Sequence, residues 1–343
     1  IHGTFSDAMF LNLHLRTAHH VLFQINEFQC DGPDKLYKEI HRMPWETMIL
    51  SDGYLSVDSN VSHPSIRDSR FANMKAKDAI VDRIQIRKGR RPDSGPEKKG
   101  AVVHLYWKDD KCTVYIDTSG EPLSKRGYRK NPYQAPMQET LAAAVIMAGR
   151  WKPSEQFINP MCGSGTLAIE AALIGLNRAP GLLREYFSFK HTLFFNRQIW
   201  DEMRAQAKAR EVKNTMKIFA SDVNPEALDA AKKNAETAGI SSFIEFTLND
   251  FEQTVIPPGG GVIIINPEYG MRMGEESALE DTYRRIGNFF KNKCQGYRGY
   301  VFTGNTTLAG KIGLKSGRKI PFQSGKIECR LYEYELYRGT KNG

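Results

Sequence analysis

The sequence predicts an α/β protein in which a parallel sheet covered by helices follows a smaller region of mixed α and β structure. Three observations support this fold class. From about residue 137 onward, strand-like and helix-like segments alternate, a rhythm typical of parallel sheets covered by helices. A glycine-rich turn joins the first of these strands to the helix after it, and the final two strand-like segments form a hairpin. The length of 343 residues suits two domains of ordinary size.

The composition is that of a globular chain with a basic surplus. Hydrophobic residues make up 41% and charged residues 25% of the chain, which excludes a disordered or fibrous protein. The 48 basic and 39 acidic side chains leave a net charge of +9, which favours polyanionic partners, RNA or DNA first. No stretch of 18 consecutive apolar residues occurs, so we expect no membrane-spanning helix.

The cysteines and histidines give no sign of cross-links or metals. The five cysteines include no Cys-x-x-Cys pair, and the eight histidines lack metal-binding spacing. We therefore expect neither a disulfide framework nor a metal site, and a reducing cytoplasm as the compartment. The chain begins at Ile1 without a charged-then-apolar leader, which predicts no signal peptide and a start partway into a longer protein.

Residues 1–119 predict a domain of mixed α and β structure. An apolar run at 18–28 suits either a strand or the end of a helix. A stretch rich in glycine, proline and charge at 120–136 predicts a linker to the next domain. The other elements predicted here are helices at 33–40 and 72–86 and strands at 54–57, 101–107 and 112–117.

Residues 137–343 form the second predicted domain. Asn224 suits the N-cap of a helix, Pro225 its first position and Gly239 its end. An irregular insert at 176–214 interrupts the alternation, and Ser324-Gly325 predicts a two-residue hairpin turn. A sheet closed by an antiparallel hairpin is typical of methyltransferases rather than of nucleotide-binding dehydrogenases. The other elements predicted here are helices at 138–150, 167–174 and 279–293 and strands at 156–158, 217–220, 244–247, 262–265, 300–303, 319–323 and 326–336.

The glycine-rich turn at 157–166 is the strongest local feature. Its glycines let the backbone approach a ligand, and the N–H groups at the start of the next helix favour a carboxylate or phosphate. The turn lacks the third glycine of the dinucleotide fingerprint and the lysine of a P-loop, which counts against NAD and ATP. Cys162 suits a packing residue beside a ligand better than a covalent nucleophile. The candidate cofactor contacts in this turn are Asn159, Pro160, Cys162, Gly163, Gly165 and Thr166.

Acidic and amide side chains follow the next two predicted strands. Asp222 comes directly after one strand, where a carboxylate can accept hydrogen bonds from both ribose hydroxyls, and Val223 adjoins it. The usual gap from the glycines is about 20 residues, so the longer gap here requires the insert to bulge out. A solvated aspartate before a capped helix is the alternative. Asn249 and Asp250 suit an adenine amino group, although a simple turn aspartate is nearly as consistent.

The segment Asn266-Pro267-Glu268-Tyr269-Gly270 ends the fourth strand. An asparagine oxygen and a neighbouring carbonyl provide two acceptors that can hold an exocyclic amine facing a methyl donor. An aromatic ring beside them can stack on a flipped-out base. A simple strand-ending turn is the alternative, but the combination with the glycine-rich turn favours function. No cysteine lies near this strand, which counts against base methylation through a cysteine adduct.

Together these motifs resemble the two-domain RNA guanine methyltransferases that join a THUMP domain to a class I, S-adenosylmethionine-dependent catalytic domain. The chain is similar to the bacterial enzymes that methylate the exocyclic amine of a guanine in 23S ribosomal RNA. The resemblance covers nearly the whole chain. It rests on residues 71–82, 115–120 and 123–129 (FANMKAKDAIVD, YIDTSG, LSKRGYR) and on 135–144, 159–166, 222–225 and 266–270 (APMQETLAAA, NPMCGSGT, DVNP, NPEYG).

The resemblance implies a THUMP-like domain at 1–119, with a preceding ferredoxin-like part truncated, and a Rossmann-like catalytic domain with a seven-stranded sheet at 137–343. It implies methyl transfer from S-adenosylmethionine to guanine N2, with 23S rRNA or a ribosome precursor as partner. Asn266, Pro267 and Tyr269 would be catalytic, and Asn266 would also contact the cofactor. The candidate RNA contacts are Lys75, Lys77, Arg83, Arg126, Arg129 and Lys130.

Two positions depart from the family pattern. Asn159 stands where the family usually has aspartate, and Glu268 replaces the second proline of Asn-Pro-Pro-Tyr-Gly. Neither change removes the Asn266 oxygen or the Pro267 carbonyl. Glu268 adds a negative charge that either accepts from a guanine edge or repels phosphate. Two alternatives stay open: an adenine N6 methyltransferase acting on RNA or DNA, and a non-catalytic RNA-binding factor that retains a cofactor pocket.

Overall fold

The structure is a computed structural model that describes residues 1–133, 136–212, 217–269 and 275–337. Its helices are α1 (Phe5–His14), α2 (Pro33–Arg42), α3 (Ser69–Lys88), α4 (Glu139–Ala148), α5 (Thr166–Gly175), α6 (Arg197–Ala209), α7 (Pro225–Thr237), α8 (Glu275–Lys293) and α9 (Thr306–Gly310). Its strands are β1 (Leu22–Gln29), β2 (Tyr54–Ser62), β3 (Asp93–Ser94), β4 (Ala101–Lys108), β5 (Lys111–Asp117), β6 (Gln156–Pro160), β7 (Ile218–Asp222), β8 (Ile244–Leu248), β9 (Gly261–Ile265), β10 (Tyr297–Thr303), β11 (Lys319–Ser324) and β12 (Ile327–Glu335). Within the described ranges, no helix combines the length and apolar character needed to cross a bilayer.

The chain divides into two compact units. Unit 1 comprises Ile1–Lys125 and Ala179–Ala209, and unit 2 comprises Arg126–Arg178 and Arg210–Gly343. The stretch that the sequence predicts as a linker, 120–136, is therefore shared between the units, with the division after Lys125. Most of the predicted irregular insert belongs to unit 1, which explains why it interrupts the alternation of unit 2.

Unit 1 contains a five-stranded sheet in the order β1-β5-β4-β2-β3. The ambiguous apolar run resolves into β1, which pairs antiparallel with β5, while β2 runs parallel to β4. Helices α2 and α3 share one hydrophobic core with the strands, because Leu36 and Ile80 are fully buried in the same cluster as Trp107. Burial of this apolar face is the main favourable term for such a layer. Asp68 caps α3 by accepting from the Arg70 N–H, so the helix begins a little before the predicted start.

The insert forms a second core within unit 1. Phe187, Phe189 and Trp200 pack edge-to-face or stacked with one another and lie in one buried cluster with Met9 and Leu13 of α1. The sequence analysis predicts neither α1 nor α6. The aromatic spacing of the insert carries no clear period, so only its contacts with distant residues identify it as a packed element.

Unit 2 contains a seven-stranded sheet in the order β11-β12-β10-β9-β6-β7-β8. Strands β10, β9, β6, β7 and β8 run parallel, whereas β12 pairs antiparallel with both β10 and β11. This arrangement confirms the predicted α/β fold with seven strands and a closing hairpin. The two-residue loop of that hairpin is Gly325-Lys326 rather than Ser324-Gly325, because Ser324 still pairs with Ile327 and Gly325 takes the positive φ of 61°.

The parallel strands bring the candidate residues to one edge of the sheet. Strands β6, β7, β8 and β9 are neighbours, and the chain leaves each of them at its carboxyl end. The glycine-rich turn, Asp222, the Asn249-Asp250 pair and Asn266 directly follow or end these four strands. Ligands of open α/β sheets bind at this edge.

Candidate active site

The glycine turn, residues 159–166, is fastened to the end of β7. The Cys162 N–H donates to the Ser221 carbonyl at 2.9 Å, and the Gly163 N–H donates to Asp222 Oδ2 at 2.9 Å. Gly165 has a φ of 83°, and a Cβ there would lie 2.9 Å from Ala231 Cβ, so only glycine fits this close approach. These contacts hold the turn in its geometry without any ligand, and they come from residues of β7 and α7 that are distant in the chain.

Asp222 is the carboxylate at the centre of this edge. Its Oδ2 accepts from Gly163, and its Oδ1 accepts from the Asn224 N–H at 2.9 Å. Since each carboxylate oxygen has two lone pairs, both oxygens can still accept from hydroxyl groups of a ligand. Val223 is 70% exposed beside it, which leaves an apolar surface next to the carboxylate. Asn224 caps α7 by accepting from the Glu226 and Ala227 N–H groups, as the sequence predicts.

Asn249 and Asp250, which follow β8, make different hydrogen bonds. The Asn249 N–H donates to the Asp222 carbonyl, while Asn249 Oδ1 is buried and has no hydrogen-bond partner among the described residues. Asp250 accepts from the Glu252 N–H at 2.9 Å and from Arg285 Nη2 at 2.8 Å. Asp250 thus fixes the start of its turn and pairs with a helix α8 arginine. Both residues keep acceptors for a ligand, because Asn249 Oδ1 has no partner among the described residues and each of these two Asp250 bonds uses one of the two lone pairs of a carboxylate oxygen.

Asn159 links the glycine turn to the strand beside it. Its side chain is fully buried, and Nδ2 donates to the Ile264 carbonyl of β9 at 2.9 Å. An ionised aspartate, the residue that the family usually has, would set a negative oxygen against that carbonyl. The amide replaces this repulsion with a hydrogen bond. Within the described part of the chain, Asn159 Oδ1 has no partner.

Cys162 is a packing residue within the turn. The residue is 8% exposed, and its Sγ donates to the Gly163 carbonyl. Burial, followed by the nearby Asp222 charge, raises the pKa of the Cys162 thiol. A thiolate is the nucleophilic form of cysteine, so this environment disfavours covalent catalysis.

The acceptor loop, residues 266–269, follows β9. Asn266 Oδ1 is a buried atom for which the described chain offers no hydrogen-bond partner, and Pro267 is buried. Glu268 is exposed, and its carbonyl accepts from the Tyr283 hydroxyl at 3.2 Å. Gly270, the last residue of the predicted motif, lies outside the described residues. An unpaired buried acceptor costs about 1–3 kcal/mol, so Asn266 Oδ1 is the expected contact of a ligand donor.

The Tyr269 ring packs against the backbone that follows β10. A Cβ at Gly304 would lie 3.3 Å from Cδ2 and Cε2 of Tyr269, so the ring rests against the glycine backbone after β10. Burial raises the pKa of Tyr269, with a smaller contribution from Cys329. Tyr283, which holds the Glu268 carbonyl, is also bonded to Thr303 Oγ1 at 2.8 Å. Tyr283 and Gly304 lie far from the motif in sequence and have no local signal, so the sequence analysis missed them.

Three of the predicted RNA contacts are engaged by the protein itself. Arg126 is 1% exposed with its Nε 3.5 Å from Glu170, so its prediction as a phosphate contact is wrong. Arg129 Nη2 donates to the Met137 carbonyl and to Thr166 Oγ1, which commits its guanidinium to unit 2. Arg83 makes two hydrogen bonds to Glu46 of unit 1. The sequence shows only that these arginines are charged and does not show that folding buries them or pairs them with other residues.

The three predicted lysines are placed differently. Lys130 is exposed. Lys75 and Lys77 are partly exposed and lie 3.6 Å from Asp34 and 3.0 Å from Asp78, respectively. Partly exposed ion pairs of this kind contribute little to stability, so these lysines can exchange their partners for phosphates. In the described ranges, no group of three or more histidine, cysteine or acidic side chains is arranged to hold a metal ion.

Comparison with protein families gives two matches. A family described as the RMKL-like methyltransferase domain matches residues 126–333, and the THUMP domain family matches residues 32–117. The first match begins at the residue where unit 2 begins. The second match lies within unit 1.

Comparison with individual proteins gives long matches. The chain is 34% identical to the Ribosomal RNA large subunit methyltransferase K/L of Syntrophotalea carbinolica and 37% identical to that of Psychromonas ingrahamii. Each match covers 97% of this chain but only 48% and 45% of the relatives, so the chain spans about half their length. The crystal structure of SMU.472 complexed with SAH superimposes with a TM-score of 0.87 at 28% identity, covering 98% of this chain and 89% of that one.

Proposed function

The chain belongs to the RMKL-like methyltransferase family, and on that premise we propose that it transfers a methyl group from S-adenosylmethionine to the exocyclic N2 amine of a guanine in 23S ribosomal RNA. The observation that carries the proposal is the buried Oδ1 of Asn266, which has no partner among the described residues and lies at the edge of the sheet that also holds the glycine turn. This acceptor is suited to an amine N–H donor. The relatives named for methylation of large-subunit ribosomal RNA supply the substrate class.

The residues at the sheet edge fit S-adenosylmethionine. Asp222 retains lone pairs for two ribose hydroxyls, and Asn249 Oδ1 is a buried acceptor without a partner in the described part of the chain. Exposed Val223 offers an apolar surface for the adenine ring. The start of α5, after Gly165, is a helix N-terminus of the kind that binds carboxylates. The SAH bound to a structural relative is the demethylated form of the same group.

When bound, S-adenosylmethionine supplies a methyl group attached to a sulfonium sulfur, and loss of the methyl group converts that sulfonium into a neutral thioether. Asn266 Oδ1 and the Pro267 carbonyl hold the target amine by accepting its N–H groups, which keeps the nitrogen lone pair toward the methyl. As the nitrogen gains positive charge, the same two oxygens stabilise it, and the proton then passes to water. Tyr269 stacks on the base, and the buried Pro267 provides its carbonyl as the second acceptor. Most of the rate enhancement on this account is positioning.

Glu268 favours guanine over adenine. Its carboxylate is exposed at the acceptor loop, while its backbone carbonyl is already bonded to Tyr283. The Watson–Crick edge of guanine offers two neighbouring donors, the ring N1–H and the N2 amine, whereas the edge of adenine pairs its amine with an acceptor nitrogen. A carboxylate two positions after the amide acceptor in this loop therefore complements guanine and repels the adenine ring nitrogen.

Unit 1 supplies the RNA contacts in this proposal. It contains the THUMP match, and its exposed cations include Arg87, Lys88 and Arg90 at the end of α3, in addition to Lys75 and Lys77. In unit 2, exposed Lys130 adds another cation. Contacts to phosphates fix position rather than sequence, and they make affinity fall with added salt.

The test incubates the full chain with S-adenosylmethionine carrying a labelled methyl and with unmethylated 23S ribosomal RNA, followed by mass spectrometry of the nucleosides. Labelled N2-methylguanosine is the expected product. Labelled N6-methyladenosine instead would overturn the guanine assignment in favour of the adenine alternative. Absence of any labelled nucleoside, with SAH binding intact, would overturn the enzymatic proposal and leave a non-catalytic RNA-binding factor. Asn266→Ala, prepared in parallel, controls for contaminating enzymes.

A further inference from the structure

Residues 126–133, which we call the strap, begin unit 2 and run without helix or strand toward α4. Three alternate positions of the strap, Arg129, Asn131 and Tyr133, each form a hydrogen bond with another part of unit 2. Arg126 and Tyr128 also contact unit 2, through Glu170 of α5. The strap is therefore attached to unit 2 along its length rather than at a single point.

All three attachments end on elements of the candidate cofactor site. Arg129 Nη2 donates to Thr166 Oγ1 at 3.0 Å, and Thr166 is the first residue of α5 after the glycine turn. The Tyr133 hydroxyl accepts from Asn224 Nδ2 at 2.7 Å, and the Asn224 N–H in turn donates to Asp222. Arg129 thus places the middle of the strap at the glycine turn, and Tyr133 places its last residue beside the Asp222 carboxylate.

The middle attachment is made by a fully buried amide of α7. Asn234 Oδ1 accepts from the Asn131 N–H at 3.1 Å, and Asn234 Nδ2 donates to the Asn131 carbonyl at 3.0 Å. The same Nδ2 donates to the Ser164 carbonyl of the glycine turn at 3.2 Å. One side chain therefore spans the strap and the glycine turn, and both of its N–H donors are used.

An asparagine within a helix is unfavourable for helix formation, and a buried amide is costly unless its polar atoms are paired. If Asn234 only stabilised the fold, hydrogen bonds between its amide and the strap would be enough. That role would not explain why the other end of the amide holds Ser164, or why the neighbouring attachments reach Thr166 and Asn224. The contacts with Ser164, Thr166 and Asn224 share one destination, the residues that surround the proposed nucleoside and amino-acid moieties of the methyl donor. Arg126 and Tyr128 instead attach the strap to Glu170 of α5.

We propose that the strap is a wall of the S-adenosylmethionine site and that Asn234 is the positioning residue that sets the strap against the glycine turn. In this arrangement Tyr133 lies at the ribose end of the site, next to Asp222, and Arg129 lies at the start of α5. The inference rests on the proposed function, because it takes the glycine turn and Asp222 as the cofactor site. It adds two residues, Asn234 and Tyr133, that no motif of the sequence identifies.

The test measures SAH affinity by calorimetry and the kinetic constants of methyl transfer for Asn234→Ala and Tyr133→Phe in the full chain. Tyr133→Phe removes one neutral hydrogen bond and Asn234→Ala removes three, and both act on the cofactor only through the strap and the glycine turn, so we expect affinity to fall by about 2- to 10-fold. The KM for S-adenosylmethionine should rise by the same factor, while kcat at saturating cofactor and the KM for RNA stay within about twofold. Asn177→Ala is the matched control, because within the described ranges its amide donates to the Arg210 carbonyl on the surface of unit 2.

A second measurement on the wild-type protein does not depend on any variant folding. The amide hydrogen of Asn131 is donated to Asn234, so its exchange with solvent reports directly on the strap. SAH should slow that exchange if the strap is part of the site. Unchanged exchange on saturation with SAH would overturn the inference, as would SAH affinities of both strap variants equal to that of Asn177→Ala.

Asp222→Ala separates this inference from the proposed function beneath it. If Asp222→Ala binds SAH weakly while the strap variants match the control, the cofactor site stands and the strap inference alone fails. If Asp222→Ala binds SAH as the wild type does, the cofactor lies elsewhere and both proposals fail.

Discussion

The glycine turn and the acceptor loop lie at the same edge of one sheet but differ in how their polar groups are hydrogen-bonded. The glycine turn uses its own N–H groups to hold Ser221 and Asp222, and the strap and Asn234 add further hydrogen bonds. The acceptor loop keeps the buried Oδ1 of Asn266 without a partner in the described chain. The backbone N–H groups of Cys162 and Gly163 are thus paired before a ligand arrives, although Asn159 Oδ1 of the glycine turn, like Asn266 Oδ1, has no partner among the described residues.

This difference indicates how the protein would bind the cofactor and the target amine. A preformed turn binds its ligand without paying for reordering. The acceptor loop instead holds an unpaired acceptor in place through Tyr283 and through the contact of Tyr269 with Gly304. Local departures from satisfied packing of this kind concentrate at functional sites.

The largest expected effect comes from Asn266→Ala, which removes the unpaired acceptor. We expect single-turnover methyl transfer to fall by at least roughly a hundredfold, the scale of losing one well-placed polar group in the transition state. Thermal stability should not fall, because the lost oxygen makes no hydrogen bond within the described chain. SAH affinity should stay close to the wild-type value. Wild-type transfer rates in this variant would show that the acceptor loop is not the catalytic centre.

Asp222→Ala tests whether the hydrogen bonds to Asp222 hold the glycine turn in place. The variant should lose about 1–3 kcal/mol of SAH binding, measured by calorimetry, because ribose hydroxyls lose a charged acceptor. Here stability should fall as well, since the Gly163 and Asn224 N–H groups lose their common partner. A variant that weakens SAH binding without any loss of thermal stability would contradict the idea that the turn is held by Asp222.

Tyr269→Ala tests stacking at the acceptor loop. Loss of the ring should raise the barrier to methyl transfer by about 1–3 kcal/mol, the range measured for base–aromatic stacking. Tyr269→Phe should be largely tolerated, because stacking needs the ring and not the hydroxyl. If kcat/KM for RNA falls equally in both variants, the hydroxyl and not the ring is the functional group.

The smallest expected effect comes from Tyr283→Phe, which removes the hydroxyl that holds the Glu268 carbonyl. Losing this neutral hydrogen bond should cost about 0.5–1.5 kcal/mol in kcat/KM for RNA. The KM for S-adenosylmethionine should not change, because the bond supports the acceptor loop and not the glycine turn. An equal rise in both KM values would show that the two regions are coupled rather than separately built.

Local physics made part of this molecule predictable from its sequence. The Asn224 cap, the positions of the parallel strands of unit 2 and the closing hairpin follow from short-range signals, and the structure confirms them. The hairpin turn was misplaced by one residue, because only the pairing of Ser324 with Ile327 fixes the register. The assignment of Asp222 and Asn266 to one ligand-binding edge also follows from the sequence, since parallel strands end on the same side.

The partners of charged and amide side chains depended on the tertiary structure. The sequence shows Arg126 and Arg129 in a basic stretch, but folding sets the first against Glu170 and binds the second to Thr166. Likewise, Asn234 is one more polar residue of a helix until the fold places Asn131 and Ser164 around its amide. The physical reason is that backbone conformation is determined largely by near neighbours, whereas burial and hydrogen-bond partners are determined by residues far away in the chain. The sequence by itself therefore determined the fold class and the edge where chemistry is expected, and the tertiary structure decided which side chains remain free to act there.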